Sequence, residues 1–188
     1  AELFGRENVG SESIEYLVEK RWGVARLEGK PVNIRHDLDP TEIRNIGQAK
    51  EIISGNEIQA ERKNQDPFDM QPTAKHLFSA NQPPGRKRED EAFWNRWLTV
   101  IFPESIPRKE QDPALIDSLT TDEELTGILN WAIEGYQRLT QQERFTNEPT
   151  PAENKERWEK FGSSVEQFLD SELTQDSGAQ VATDDAYE

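Results

Sequence analysis

The sequence predicts an α/β first part over residues 1–105, an α-helical part over residues 106–173 and a polar tail over residues 174–188. Three observations predict it. Short β-branched or apolar runs, PVNI and AKHLF among them, alternate with helical patterns as far as Phe102. Beyond Pro107 and Pro113 the strand signal stops and two long helical patterns follow. The end, TQDSGAQVATDDAYE, is polar enough to read as disordered on composition alone.

Each element has its own signal. AELFG reads as the end of a helix, with Gly5 as its stop. Ser11 or Ser13 caps the next helix, SIEYLVEKRW, in which Ile14, Leu17 and Val18 share one face. PVNI suits a short buried strand. Thr41 to Ile53 reads as a helix that ends near Gly55. NEIQAERK and FDMQPTAKHLFSA read as two strands joined by the turn Asn64-Gln65-Asp66-Pro67. After the loop NQPPGRKRED comes FWNRW, leading into a strand, WLTVIF, that stops at Pro103.

In the helical part, Thr121 and Glu124 form a capping box for DEELTGILNWAIEGYQRLTQ. Leu125, Ile128, Leu129, Ala132, Ile133 and Tyr136 make its packing face, and Trp131 is expected in the core with them. A second helix, PAENKERWEKFGSSVEQFLDSEL, follows a Pro-rich joint.

Composition excludes several classes. The 37 acidic residues outnumber the 22 basic ones, for a net charge of −15, so nucleic-acid contact needs a local basic feature. The acidity suits either a protein adapted to high salt or an ordinary acidic one. Without cysteine there is no disulfide or thiolate metal site, and with only His36 and His76 a histidine-rich metal cluster is not expected. No apolar run approaches the roughly 20 residues of a membrane span, and no secretory signal opens the chain. A soluble intracellular protein is the expectation. A first residue of Ala rather than Met reads as a cut from a longer reading frame.

Four residues stand out for chemistry. Asp37 follows the strand PVNI, where a carboxylate can hold a magnesium ion; on this strand alone the commoner reading is that Asp37 or Asp39 starts a turn before Pro40. Asn81 ends the strand AKHLF, where a polar side chain could reach a phosphate or lytic water from the strand beside Asp37's, though Asn before a Pro loop is also ordinary turn chemistry. Arg96 stands between Trp94 and Trp97, free to act on a phosphate or to stack as a cation–π contact. Lys63 lies in the turn of a predicted hairpin, either as a phosphate contact or as an edge-strand charge that discourages aggregation. Arg86-Lys87-Arg88 is the one compact basic cluster, and such a tripeptide more often is a solvated charge run.

In order and spacing these elements resemble the superfamily 3 DNA helicases of phage and plasmid primase–helicase type. The resemblance extends from about Leu3 to the end. Its closest stretch is the hairpin motif, matched by Lys50, Gly55, Glu57, Glu61, Lys63, Pro67 and Phe68. Two departures stand out: Asn56 where that family commonly has Asp, and Asn95 where it often has a second arginine. A larger one is that no GxxxxGK(S/T) phosphate loop occurs anywhere.

The resemblance implies an AAA+-like P-loop NTPase core that lacks its first strand and phosphate loop, followed by a helical subdomain. It implies ATP and Mg2+ as cofactors of the longer protein, bound between subunits of a homo-oligomeric ring, a hexamer by expectation. Asp37 would be the metal-holding carboxylate, Asn81 the sensor of phosphate and water, Arg96 a finger acting in trans, and Lys63 the contact with single-stranded DNA. The location implied is cytoplasmic. The tail GAQVATDDAYE resembles the lead-in to a winged helix, and a primase domain often precedes this core. Without a cradle for phosphate, the chain alone is expected to be inactive. The alternatives are a non-catalytic remnant of such a motor, or an acidic interaction protein that mimics DNA.

Overall fold

The computed structural model of the chain describes residues 1–38, 43–83 and 91–162. Asp39, Pro40 and Thr41, the Arg86-Lys87-Arg88 cluster, the distal part of the second predicted long helix and the whole tail lie outside the described residues.

Among the described residues the fold is mixed α/β with two small sheets. The strands are β1 (Val9–Gly10), β2 (Val32–Arg35), β3 (Ile58–Ala60), β4 (Phe68–Met70) and β5 (Lys75–Phe78). β1, β2 and β5 form a parallel sheet in the order β1-β2-β5, whereas β3 and β4 form a separate antiparallel hairpin. The stretch FDMQPTAKHLFSA is therefore two strands in two sheets. Pro72 cannot donate to a ladder, and the break between Met70 and Lys75 falls around it.

α1 (Ile14–Glu19) starts where Ser13 Oγ accepts from the Tyr16 N–H at 3.2 Å, which settles the cap in favour of Ser13 over Ser11. Its Ile14, Leu17 and Val18 are buried as the spacing predicts. The stop at Gly5 is kept as well, at φ 75 after a short 310 turn over Glu2–Phe4. α2 (Ile46–Ser54) begins later than the sequence suggests. Asn45 supplies the cap, its Oδ1 accepting from the Gln48 N–H at 3.1 Å, and Ile43 to Asn45 are not helical. The helix ends at Gly55, whose φ of 69 lets the Asn56 N–H reach back to the Glu51 carbonyl at 3.1 Å.

The core is built from α1, α2 and two later helices, α3 (Glu91–Trp94) and α6 (Pro151–Gly162), with Val24, Leu27, Ile43 and Ala74 from the connecting segments. Ile14, Leu17, Leu27, Ile43, Ile52 and Phe93 are its most deeply buried members. Trp158 of α6 joins them. Its ring meets those of Trp97 at 4.9 Å, Trp94 at 5.6 Å and Phe93 at 6.3 Å, all near-perpendicular as aromatic quadrupoles prefer.

Two expectations for the later chain fail. The run WLTVIF is not a strand. Its apolar residues Val100 and Phe102 lie exposed, and the backbone at Trp97 and Thr99 is bound by a side chain of α6 instead of a sheet neighbour. The long helix does form, as α5 (Asp122–Gln142), with Thr121 capping the Glu124 N–H at 3.3 Å. Its apolar face, however, buries nothing. Ile128, Leu129, Ile133 and Tyr136 are exposed, and Trp131, expected in the core, is 70% exposed. Periodicity identifies an apolar face but not what covers it. Among the described residues, the short helix α4 (Leu115–Leu119) packs beside it.

Candidate functional site

The site is built where β2 and β5 end side by side. Their register pairs Ile34 with Leu77 and Arg35 with Phe78, and the ladder continues past both strands. The Ser79 N–H donates to the Arg35 carbonyl at 3.1 Å, and the Leu38 N–H donates to the Ser79 carbonyl at 3.0 Å. His36, Asp37, Ser79 and Asn81 therefore leave the sheet at its carboxyl end. In parallel α/β sheets that end is where ligands gather.

Asp37 sits at φ 51, in the left-handed region that Asp and Asn tolerate better than most residues. The kink leaves Asp37 exposed while the next residue, Leu38, is buried and anchors the turn. Asn81 is exposed on the adjoining strand end. His36 Nδ1 and Ser79 Oγ lie 3.5 Å apart between the two strands. Sequence reasoning missed His36 and Ser79 as members of this group, because only the parallel register of β2 with β5 brings them together. No group of three or more carboxylate or imidazole side chains suited to a metal occurs among the described residues. Asp37 thus fits a magnesium ion only in the mode where one carboxylate shares the ion with waters and phosphate oxygens.

Beneath this end the sheet is pinned by Asn33, a fully buried polar residue in the middle of β2. Asn33 Oδ1 accepts from the Glu12 N–H at 2.8 Å, and its Nδ2 donates to the Glu12 carbonyl at 2.8 Å. The amide so replaces a strand for the chain leaving β1. Asn33 Nδ2 also lies 3.3 Å from His76 Nδ1. Burial, with the charge of Lys75 beside it, pushes the His76 imidazole down to about 4, so it is neutral in ordinary buffers.

Lys63 lies in the loop between β3 and β4, whose register pairs Ile58 with Met70 and Ala60 with Phe68. The base of this hairpin is held by charge. Arg21 pairs with Glu61, Arg62 pairs with Glu28, and the Arg62 guanidinium stacks over Phe68 at 4.3 Å from the ring centroid. Asn64, at φ 61, turns the chain next to Lys63. Among the described residues Lys63 has no carboxylate partner, so its ammonium is exposed for a ligand.

Arg96 is exposed just after α3. Its Nε donates to Ser54 Oγ at the end of α2 at 2.7 Å, and its Nη1 to the Ala92 carbonyl. No bond joins it to Asp37 or Asn81, and it does not stack on Trp94 or Trp97 among the described contacts. The structure thus brings Asp37 and Asn81 to one sheet end and leaves Lys63 and Arg96 on separate elements. An open cleft of about 260 Å³ lies elsewhere, at the joint of α3 and α6, lined by Trp94, Trp97, Arg144, Glu148 and Asn154. None of the four predicted site residues lines it.

Residues 1–96 match DUF5906, a family of unknown function. The chain belongs to that family. The matched region starts at the first residue and closes on Arg96, so it takes in Asp37, Lys63 and Asn81 and excludes the helical arm. No curated protein matches the chain. Among the described residues, no helix is long and apolar enough to cross a membrane.

Proposed function

We propose that this chain is the distal ATPase and lid portion of a ring-forming, ATP-driven DNA helicase from a virus, plasmid or integrated element, working in the cytoplasm. In this reading residues 1–105 belong to an AAA+-like P-loop core of superfamily 3 type, residues 106–173 to its helical subdomain, and residues 174–188 to a linker. The observation that carries it is the pairing of β2 with β5. Two neighbouring parallel strands end together in an exposed carboxylate and an exposed amide, Asp37 and Asn81. A P-loop motor needs those two groups at that place, one for the metal and one for the phosphate or water.

In the longer protein Asp37 would hold Mg2+ together with nucleotide phosphate oxygens, and Asn81 would orient the water beside it. The bound ion and ATP supply the phosphoryl chemistry. The cradle for the phosphates has no counterpart in this sequence, which lacks a GxxxxGK(S/T) loop, and must come from elsewhere in the protein. Arg96, tied to Ser54 and away from Asp37, suits action on the nucleotide of the next subunit in a hexamer. Lys63, on a hairpin braced at its base by two ion pairs, suits a grip on single-stranded DNA.

The reading is tested upstream of the Ala1 codon. An in-frame phosphate loop a short helix ahead supports the motor, and ATP hydrolysis by the longer protein should then require single-stranded DNA for full rate. An in-frame stop codon there removes the motor and leaves a non-catalytic remnant.

A further inference from the structure

Arg6, Arg21, Arg26, Arg44 and Arg62 each pair with a glutamate. Arg96 is held by neutral oxygens instead. Its Nε donates to Ser54 Oγ at 2.7 Å, and its Nη1 donates to the Ala92 carbonyl. In a chain with 37 acidic residues, no carboxylate among the described residues offsets its charge. Both hydrogens of its Nη2 are left without an acceptor among the described residues. A guanidinium held in this way offers its outer end to an anion, in the planar geometry that suits phosphate oxygens.

Both sides of the contact start from fixed backbone. Ser54 is the last residue of α2, where Gly55 at φ 69 ends the helix and the buried Ile52 fastens the final turn. Arg96 follows α3, whose Phe93 and Trp94 are buried in the core, and its N–H donates to the Phe93 carbonyl at 3.1 Å. Ser54 and Arg96 are themselves exposed, so water competes for their bond and it contributes little to stability. What the bond changes is the freedom of the arginine. Arginine has among the largest rotamer entropies of any side chain. Fixing Nε and Nη1 selects one pose before an anion arrives, so that ordering cost is met in advance.

We propose that Ser54 is the positioning residue of Arg96: its hydroxyl aims the guanidinium so that Nη2 meets a phosphoryl oxygen of the nucleotide on the next subunit. This rests on the motor reading, in which Arg96 acts in trans. Charge on the phosphoryl oxygens is shared out anew as the group transfers, and a donor already aimed at them stabilises it without reorganising. Ser54 touches neither nucleotide nor water in this scheme and acts only through Arg96. Loss of its hydroxyl therefore slows the phosphoryl step and leaves nucleotide affinity alone. A tie that only fastened α2 to α3 would behave the other way, lowering stability without a selective effect on the chemical step.

The test has two arms. In the 188-residue chain, the arginine Nε–H signal that is absent from Arg96→Lys in heteronuclear NMR spectra belongs to Arg96. Ser54→Ala should move that signal and speed its exchange with water, whereas Ser54→Thr, which keeps the hydroxyl, should preserve it. In the longer protein, Ser54→Ala should lower kcat for ATP hydrolysis about 10–100-fold with KM unchanged, and Ser54→Thr should restore the rate. Denaturant midpoints of both variants should match the native protein. Adding Ser54→Ala to Arg96→Ala should cause no further loss, because the hydroxyl acts only through the guanidinium. Native turnover in Ser54→Ala overturns the proposal, as does an Arg96 signal that ignores Ser54→Ala or a further loss in the double variant. If the native longer protein hydrolyses no ATP, the motor reading falls and this proposal falls with it. Active hydrolysis that Ser54→Ala leaves untouched removes this proposal alone.

Discussion

Asn154 of α6 holds Trp97 in place across 57 residues of chain. Its Nδ2 donates to the Trp97 carbonyl at 2.6 Å, and its Oδ1 accepts from the Thr99 N–H at 3.1 Å. One buried amide thus takes the two bonds that a neighbouring strand would have made. The same contact docks α6, because Trp158, one helical turn further on, then lies against Phe93, Trp94 and Trp97.

Asn154→Ala should cost about 1–3 kcal/mol, since it strands a part-buried carbonyl and N–H together. Trp158→Ala should cost about 3–5 kcal/mol through the cavity it opens. Urea unfolding monitored by tryptophan fluorescence checks both. If Asn154→Ala matches the native protein, the bonds to Trp97 and Thr99 are not holding α6 in place.

His76 predicts a dependence on acid. The folded imidazole binds a proton only near pH 4, whereas the unfolded one does so below about 6.5. Protons are therefore taken up on unfolding across that window. The His76 contribution is complete above pH 6.5 and is lost as the pH falls toward 4. Its size is at most about 3 kcal/mol. His76→Gln should flatten the stability profile between those limits, as measured by denaturant midpoints at a series of pH values. An unchanged slope would mean that other groups carry the acid sensitivity.

Gly55 predicts a backbone effect. Its φ of 69 disfavours any side chain, and a Cβ there would meet the Pro72 carbonyl oxygen at 2.9 Å. Gly55→Ala should therefore destabilise by more than the usual ~1 kcal/mol of a left-handed cap. It should also disturb the hairpin, because α2 ends directly ahead of β3 and Pro72 follows β4. Thermal melts with amide exchange at Ile58 and Met70 would detect both.

Local signals account for what was legible in the sequence. Ser13, Thr121 and Gly55 act on the backbone of their own helices, so the caps and stops at these positions follow from residue type. The strand in PVNI was readable from its own short β-branched run. What escaped depends on distant partners. His36 meets Ser79 through strand register, Asn33 takes over the backbone of Glu12, and Asn154 withdraws WLTVIF from any sheet. The bare face of α5 is a further case. Periodicity places Leu129 and Tyr136 on a face, but burial depends on a surface elsewhere, and among the described residues both stay exposed.

The last prediction separates charge from shape at the hairpin and the strand end. Lys63 is exposed and has no carboxylate partner among the described residues, while Arg62 beside it is committed to Glu28 and Phe68. Lys63→Ala should therefore lower affinity for single-stranded oligonucleotides and reduce the salt slope by about one counterion, with stability unchanged. Arg62→Ala should instead loosen the hairpin and lower stability slightly. Asp37→Asn keeps a residue that tolerates φ 51, so the fold should be unaffected and the carboxylate charge alone removed. If the proposed motor reading holds, that variant should lose hydrolysis and keep DNA binding, whereas Lys63→Ala should keep basal hydrolysis and lose unwinding. Fluorescence anisotropy and phosphate release read the two activities separately. Equal loss of both in both variants would mean that Asp37 and Lys63 belong to one site, contrary to their separate elements.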